Sequence, residues 1–525
     1  MAESRDTGIR RLTRRFRWIH LAPVFALIAL SAWVFASPVG ASPDDDYHLA
    51  SIWCANDARA DLCAPDPVNG ESARLVLPGI TTAPCFVADS NASAACQTWY
   101  SNPTPHLAAS HGNWIGAYPP LYYATMNIFA STDIQTSAIV MRLANVALFL
   151  ALTTAIALLL PMHLRVPLIA GWMVTIVPLG AFLIASNNPG SWAVIGVGGS
   201  WLATLGWFRS TGRRAWALGA LSVVSVLIAA GARTDAAVYS VIGLGIASVL
   251  GFERTGTFRL KLILPGALVV VAAVLFFTSG YAGVAANGLS GGVPDSASRD
   301  STMALGFNLV SIPQLWTGVF GSWGLGWLME TWPGFATVEF ATLAVFIGLA
   351  SQGLRFMHAR KAVMVVALVV ALYFIPLYIL TRGGSVVSEN VQPRYLLPLV
   401  VTLGGLLLLT RPPRALRLGP WHIIPAIVLL ASANMVALYV NLRRYITGLD
   451  VQQLSLESNG EWWWSDFPLG PTGVWLVGTV AFTATAVILG AWWLREGTRL
   501  KGSRLAPHTD AGVGSAGTPA AGLAG

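Results

Sequence analysis

Long apolar runs alternate with short polar segments along most of the chain. The runs are about 17 to 25 residues long, the length that a helix needs to cross roughly 30 Å of hydrocarbon. Each run ends at charged residues or at Pro and Gly. The pattern predicts an all-α polytopic membrane protein with about twelve transmembrane helices. The predicted spans are 18–36, 136–160, 166–186, 189–208, 215–232, 235–251, 260–279, 336–354, 361–380, 395–410, 420–441 and 472–494.

The distribution of basic residues gives the chain an orientation, because Lys and Arg collect on the cytoplasmic side of a membrane. The basic segment 1–17 and the clusters around Arg209, Arg254, Arg360 and Arg411 fall in alternate loops. We therefore expect a multi-pass plasma-membrane protein with both termini in the cytoplasm, the first run being kept as an anchor. The predicted organisation is a transmembrane domain over 18–504, extracytoplasmic segments at 37–135, 280–335 and 442–471, and a disordered cytoplasmic tail at 505–525.

Composition supports the membrane assignment and changes the meaning of the net charge. Of the 525 residues, 55% are apolar and only 11% are charged, whereas soluble domains carry about 25% charged residues. The formal net charge of +8 follows from the cytoplasmic basic clusters. It therefore gives no reason to expect a nucleic-acid partner.

All four cysteines lie in the first extracytoplasmic segment. An even number of cysteines confined to one exported segment indicates two disulfides. Three pairings are open, and the local one joins Cys54 to Cys63 and Cys85 to Cys96. A zinc site is the alternative, although the spacing contains no CxxC pair.

The stretch "SPDDDYH" follows the first span and carries the first candidate chemistry. If it is helical, Asp44 and His48 stack one turn apart, with Asp45 turned away by about a hundred degrees. Adjacent carboxylates repel, so one of them should have a raised pKa and accept a proton near neutral pH. A solvated helix cap is the alternative interpretation.

Three arginines lie at positions where a charge is costly in a membrane protein. Arg142 lies inside an apolar run, Arg233 joins two spans in "GARTDA", and Arg394 opens a span in "ENVQPRYLLPL". A guanidinium can bind phosphate with two parallel hydrogen bonds. Internal Arg–Asp pairs, or side chains that reach the membrane surface, would explain the same residues.

Other polar and aromatic residues allow two interpretations each. Asn187 and Asn188, in "NNPGSW", could bind substrate hydroxyls, but Asn-Asn-Pro-Gly is also typical of a turn. The tryptophans form either a membrane-surface belt or platforms for sugar rings. Motifs for nucleotide binding, HExxH and a Ser-nucleophile elbow are absent from the sequence, so soluble nucleotide donors are not expected.

Taken together, these motifs resemble the DUF2142 family of bacterial polytopic membrane proteins, which is similar to the GT-C superfamily of lipid-linked-sugar glycosyltransferases. The resemblance rests on "SPDDDYH", "MRLAN", "NNPGSW", "GARTDA", "FGSWGLGWLMETWPG" and "ENVQPRYLLPL". In this chain, Asp45 stands where that family often has Glu, and Pro393 replaces a small residue.

The resemblance implies a GT-C-like fold and an inverting glycosyltransferase. The enzyme would transfer a sugar, in this setting a pentofuranose such as arabinofuranose, from a polyprenyl-phosphate donor to a cell-envelope glycan on the extracytoplasmic face. Asp44 or Asp45 would be the base, assisted by His48. The donor phosphate would be held by arginines: Arg394, Arg233 and Arg142. The remaining substrate contacts would come from polar residues: Asp46, Glu389, Gln392, Tyr395, Asn187 and Asn188.

The resemblance permits a divalent cation, Mg²⁺ or Mn²⁺, at Asp44 and Asp45, without requiring one. Two other functions stay open at this stage. A transporter or flippase of lipid-linked glycans would use the arginines without a base. A non-catalytic envelope-assembly scaffold would use the disulfide-bonded segment to dock partners.

Overall fold

The computed structural model describes residues 18–505 except for 57–58, 82–85, 88, 96–105, 282, 284–300, 327–330, 332–334, 412–415, 417, 452, 459 and 465–466. The predicted basic segment 1–17, most of the predicted disordered tail and the predicted Cys85–Cys96 pair lie outside the described residues. The described chain is mostly helical.

Ten helices of the described chain are long and apolar enough to cross a membrane. This finding agrees with a multi-pass membrane protein, while the predicted count of about twelve is not confirmed. The ten candidates are Trp18–Phe35, Ile134–Leu159, Gly212–Ala232, Thr234–Gly251, Gly256–Phe277, Thr302–Ser322, Ala336–Leu354, Ala359–Arg382, Pro420–Ile446 and Pro471–Arg495.

The helices and strands are numbered here in chain order. Up to residue 129 they are α1 Ala22–Phe35, α2 Asp45–Trp53, β1 Cys63–Asp66, β2 Gly70–Val76, α3 Pro78–Thr81, β3 Leu107–Ala109 and α4 Leu121–Met126. The next group is α5 Ile134–Leu159, α6 Met162–Met173, α7 Leu179–Ile184, α8 Gly190–Arg209, α9 Gly212–Ala232, α10 Thr234–Gly251, α11 Gly256–Lys261 and α12 Ile263–Phe277. The last group is α13 Ser301–Thr317, α14 Phe335–Leu354, α15 Ala359–Arg382, α16 Pro393–Leu408, α17 Pro420–Ile446 and α18 Pro471–Leu505.

A small antiparallel sheet forms in the predicted first extracytoplasmic segment, with strand order β1-β2-β3. Cys63 is paired with Val76 in the sheet, and Arg74 with Ala109. A disulfide joins Cys54, at the end of α2, to Cys63, at the start of β1. The predicted Cys54–Cys63 pair is therefore confirmed, and the sheet is tied covalently to the acidic helix.

The predicted span 166–186 is not one continuous helix. The chain forms α6 and α7 instead, separated by the segment 174–178. Pro178 lies at the end of this segment, and it keeps the two helices apart because proline has no backbone N–H and disfavours helical backbone at the residue before it. The predicted span 395–410 corresponds to α16, which has only 16 residues.

The predicted extracytoplasmic segment 280–335 contains a helix, α13, that sequence analysis missed. Asn308 donates a hydrogen bond to the carbonyl of Ser385, beyond the end of α15, and Trp316 donates to the carbonyl of Leu372, inside α15. The helix α13 therefore runs antiparallel to α15. Thr342 of α14 in turn donates to the carbonyl of Phe320, so that the chain turns back between α13 and α14, where Gly321 adopts φ 112°.

Helix α8 lies at the centre of the bundle, and all its residues from Gly190 to Phe208 are buried. It packs against α9, α10, α16 and α5. Small residues permit this close packing, as they do in other membrane helix pairs. A side chain at Gly196 would collide with the backbone of α9 at Ser225. The buried α8 thus holds together the helices whose ends carry the polar residues of the next section.

Candidate active site

A cavity of about 730 Å³ lies where α2 meets the ends of α10, α12, α15 and α16. We name two groups of its lining residues, the loop wall and the helix wall. The loop wall consists of Tyr47, His48, His111, Tyr118 and Tyr281, and the helix wall of Phe276, Phe374, Ile375, Pro376, Tyr378 and Ile379. The charged residues of the lining are Asp44, Arg233, Asp235, Glu389 and Arg394.

Asp44 and Arg394 meet inside this cavity. Helix α2 begins at Asp45, and Asp44 precedes it in a left-handed conformation with φ 57° and ψ 29°. Helix α16 begins at Pro393, a residue suited to a first turn, and this places Arg394 at the start of the helix. The Arg394 Nη2 donates a 2.8 Å hydrogen bond to Asp44 Oδ2. The side chain of Asp44 is 42% exposed and that of Arg394 only 5%.

The charge of Arg394 sets the protonation of Asp44. Burial raises the pKa of the Asp44 carboxyl, but the guanidinium of Arg394, with a smaller effect from Arg233, more than offsets this. The net result is a pKa below the ordinary value. Asp44 is therefore ionised at neutral pH and can accept a proton from a ligand.

Asp45 does not line the cavity, although it is the next residue in the sequence. Its side chain is fully buried, and Oδ2 accepts hydrogen bonds of 3.1 Å from the backbone N–H groups of Gly40 and Ser42. Burial raises the pKa of Asp45 to about 7, despite the opposing effect of Arg142. The sequence analysis expected the carboxylate with the raised pKa to be the proton acceptor. That carboxylate is Asp45, and it binds the backbone of the turn between α1 and α2 instead.

Arg142 and Asn188 also hold this turn and lie outside the cavity lining. The buried guanidinium of Arg142 donates to the carbonyls of Ser37 and Pro38, at 2.6 and 2.9 Å. Its Nη2 lies 3.9 Å from Asp45 Oδ2. Asn188 donates to the carbonyl of Pro43 at 2.9 Å. Together these contacts fix the backbone that precedes Asp44.

His48 lies one helical turn after Asp44, as the spacing predicted, and lines the cavity. Its backbone N–H donates to the Asp44 carbonyl at 2.9 Å, and its Nδ1 lies 2.9 Å from the hydroxyl of Tyr123. Burial lowers the pKa of His48 to about 3, so that the imidazole is neutral. Its Nε2 is buried without a hydrogen-bond partner in the described part of the chain and can serve a ligand.

Arg233 is the second arginine of the cavity. It joins α9 to α10, and its Nε and Nη2 donate to the two carboxylate oxygens of Asp235 at 2.9 and 3.0 Å. The ring of Tyr395 lies between two guanidiniums, 4.7 Å from Arg233 Cζ and 4.9 Å from Arg394 Cζ. The hydroxyl of Tyr395 also accepts a 3.1 Å hydrogen bond from Arg394. Arg233 therefore forms an internal ion pair with Asp235 and also lines the cavity. Its interpretation as an internal pair is thus compatible with its interpretation as a phosphate-binding residue.

The other predicted substrate residues divide between the cavity and its surroundings. Glu389 and Gln392 line the cavity, and Glu389 accepts a hydrogen bond from the backbone N–H of Val386 at 2.8 Å. Asp46 lies beside the cavity, with its Oδ2 2.8 Å from Nδ1 of His111. Asn187 is buried outside the lining, where both side-chain polar atoms lack a hydrogen-bond partner among the described residues.

The described residues offer few ligands for a divalent cation. Mg²⁺ takes near-octahedral oxygen ligands, which are commonly one or two carboxylates together with waters and substrate phosphate. No group of three or more His, Cys, Asp and Glu side chains in the described part of the chain could hold a metal ion. Asp44 is paired with Arg394, and Asp45 with backbone N–H groups.

Sequence reasoning missed most of the loop wall. His111, Tyr118 and Tyr281 come from segments that carry no recognisable motif. Two backbone hydrogen bonds bring them together, from Gly280 to the carbonyl of Gly116 and from Tyr281 to the carbonyl of Ala117. Polar aromatic residues next to predicted span ends were the available signal, and they are too common in membrane proteins to single out these positions.

A family model described as a predicted membrane protein, DUF2142, matches residues 27–403. The chain belongs to the DUF2142 family. Asp44, Arg233 and Arg394 all lie within the matched residues of this DUF2142 protein. No curated protein matches the chain significantly, and no solved structure does so either.

Proposed function

We propose that this protein is a GT-C-type inverting glycosyltransferase, which transfers a sugar from a polyprenyl-phosphate donor to a cell-envelope glycan. The observation that carries the proposal is the meeting of Asp44 and Arg394 in one cavity that also holds Arg233. A transfer of this kind needs a base for the acceptor hydroxyl and cations for the departing phosphate. The cavity supplies both.

In the proposed reaction, Asp44 takes the proton of the acceptor hydroxyl. The hydroxyl oxygen forms a bond to the anomeric carbon of the donor sugar, and the bond from that carbon to the phosphate oxygen breaks. The polyprenyl phosphate leaves with the electron pair of the broken bond, so it gains one negative charge. The configuration at the anomeric carbon inverts because the acceptor and the phosphate occupy opposite faces of the sugar.

Arg394 and Arg233 would stabilise the charge that develops on the leaving phosphate. Arg394 Nε is buried without a hydrogen-bond partner in the described chain, so the guanidinium retains a donor for an additional ligand. The hydrogen bond from Arg394 to Asp44 would weaken as the donor phosphate binds. The pKa of Asp44 would then rise, so that the carboxylate takes the proton of the acceptor hydroxyl more readily. His48, held neutral, would donate or accept one hydrogen bond through Nε2.

The helix wall suits the lipid part of the donor. Phe374 and Tyr378 line the cavity, and they are 56% and 50% exposed. Helices α12 and α15 both pack against α10, with little contact between them in the described chain. A prenyl chain could therefore pass from the bilayer to the arginines between these two helices. The basic clusters at the opposite helix ends favour an extracytoplasmic position for the cavity.

The experiment uses the full-length protein in lipid nanodiscs, with farnesyl phosphate as a binding probe and farnesyl-phosphoryl arabinofuranose as the first donor. Arg394→Lys keeps the charge but loses the planar fork of donors, and we expect it to weaken farnesyl phosphate binding about tenfold or more. Arg382→Lys is the matched control, because Arg382 is exposed at the end of α15 and lies outside the cavity lining.

Two results would overturn the proposal. The first is a wild-type protein that does not bind farnesyl phosphate. The second is transfer activity that Asp44→Asn leaves unchanged. A protein that binds the lipid phosphate and moves it across vesicles equally well with Asp44→Asn would instead be a flippase.

A further inference from the structure

The two walls of the cavity differ in chemistry and in what they face. The helix wall consists of apolar side chains and Tyr378, on helices that could cross a membrane. The loop wall consists of Tyr and His side chains, and His111 in that wall is 67% exposed. Ligands of different polarity are therefore suited to the two walls.

Charge also divides the cavity lining. Arg233 and Arg394 lie beside the Tyr395 ring, and Arg233 also lies 5.5 Å from the Tyr118 ring, so this part of the lining favours an anion. On the loop wall, the hydrogen bond from His111 to Asp46 raises the pKa of His111, so a positive imidazolium is balanced by the Asp46 carboxylate. This pair carries no net charge, and a neutral ligand with hydroxyl groups suits it better than a phosphate does.

The loop wall contains one buried polar atom without a partner among the described residues. This atom is Nε2 of His48. The Tyr47 ring packs edge-on against both His48 and His111, with centroids 5.4 and 5.0 Å apart. Ligand sites commonly combine aromatic rings with a few polar groups that fix the orientation of the ligand.

We propose that His111 and Tyr47, with Asp46 positioning His111, form an acceptor subsite that takes a neutral, hydroxyl-rich saccharide end from the aqueous side. This inference rests on the proposed function, because it assigns the second substrate of the same cavity. It places the acceptor hydroxyl near Asp44, which immediately precedes α2, the helix that carries His48. The lipid donor would occupy the helix wall.

The experiment measures binding of neutral sugars to the full-length protein in nanodiscs by saturation-transfer NMR. The probes are the methyl glycosides of arabinofuranose, galactofuranose, mannopyranose and glucopyranose, and farnesyl phosphate is measured in parallel. We expect at least one glycoside to bind the wild type. His111→Ala should weaken that binding about tenfold, as expected for a lost hydrogen bond and ring contact, and leave farnesyl phosphate binding unchanged.

His106→Ala is the matched control. His106 lies in the same part of the chain and bonds only to the carbonyl of Asp61 among the contacts described, and it does not line the cavity. This variant should leave both ligands unaffected. Asp46→Asn should weaken glycoside binding, and adding it to His111→Ala should cause no further loss, because Asp46 acts through His111.

The outcomes separate the two proposals. No glycoside binding by the wild type, or equal binding by His111→Ala, would overturn the acceptor subsite even if farnesyl phosphate binds. Glycoside binding without farnesyl phosphate binding would overturn the proposed function and retain the subsite. The octyl glycoside of the bound sugar tests the source of the acceptor. Binding about tenfold or more tighter than that of the methyl glycoside would overturn delivery from water in favour of a lipid-carried acceptor.

Discussion

The carboxylate of Asp44 accepts a hydrogen bond from Arg394, a residue 350 positions later in the sequence. The contact joins the start of α2 to the start of α16, a helix that packs against the buried helix α8. An acidic residue from the first third of the chain and a basic residue from the last third thus share one cavity. The predictions below test what this pair does and what holds it in place.

Asp44→Asn and Asp45→Asn should have opposite effects on activity and stability. Asn tolerates the left-handed backbone of residue 44 and removes the base, so we expect transfer to fall about 10²- to 10⁴-fold. Thermal stability should fall only slightly, because the ion pair that is lost involves a carboxylate that is 42% exposed. Asp45→Asn should lower the melting temperature, because a neutral amide accepts weaker hydrogen bonds from Gly40 and Ser42 and leaves Arg142 without its carboxylate. Initial rates and thermal unfolding of both variants provide the measurement. Equal loss of activity without loss of stability in Asp45→Asn would contradict this division of roles.

The pH dependence of transfer should identify the base independently. An ionised carboxylate is the active form, so the rate falls when pH drops below the pKa of the base. The pKa of Asp44 lies below its ordinary value of 3.8, and kcat/KM should stay level between about pH 6 and pH 5. Over that range His48 stays neutral and His111 stays protonated, because their pKa values are respectively lowered to about 3 and raised. If Asp45 were the base, with its pKa of about 7, the rate would instead fall about tenfold per pH unit over the same range.

Arg142→Met should destabilise the protein without a direct effect on lipid phosphate binding. The substitution leaves Asp45 and the carbonyls of Ser37 and Pro38 buried without their cation, and breaking a buried pair costs about 3–5 kcal/mol. Thermal unfolding in nanodiscs should show a clear fall in melting temperature. Arg213→Met, at an exposed position, should leave the melting temperature unchanged. Loss of farnesyl phosphate binding by a fully folded Arg142→Met would mean that Arg142 contacts the donor.

Removing the disulfide between Cys54 and Cys63 should lower the stability of the protein and leave the rate of sugar transfer unchanged. The bond closes a short loop between α2 and β1, and we expect its loss to cost about 2–3 kcal/mol. The Cys54→Ala/Cys63→Ala double variant should melt at a lower temperature and transfer sugar at the wild-type rate below that temperature. A rate loss in the folded variant would show that the disulfide also sets the position of Asp44.

The sequence predicted the long, uninterrupted apolar helices best. Nine of the ten candidate membrane helices coincide with predicted spans, because apolar length is the signal that a bilayer imposes. Helix α13 was missed because polar residues such as Asn308 and Gln314 interrupt its apolar pattern. Its position depends on hydrogen bonds to α15, and no local pattern encodes these partners.

The sequence predicted several residues of the site but not the role of each. The sequence singled out Asp44, Asp45 and Arg394 by their cost at a membrane edge, and two of the three meet in the cavity. The sequence could not separate Asp44 from Asp45, because their directions depend on the left-handed backbone at Asp44 and on contacts from distant segments. The role of Arg142 is hidden for the same reason, since its partners are carbonyl groups of another helix end.

The contacts at the end of α1 extend the functional unit beyond the matched family region. Trp33 of α1 donates to Asn434 of α17, Asn441 donates to the carbonyl of Ala36, and Trp464 donates to the carbonyl of Phe35. These three partners lie after residue 403, where the family match ends. A chain that ends at residue 403 would therefore lose the hydrogen-bond partners of the end of α1, which leads into the turn that precedes Asp44. An isolated family domain is for this reason a poor choice for expression.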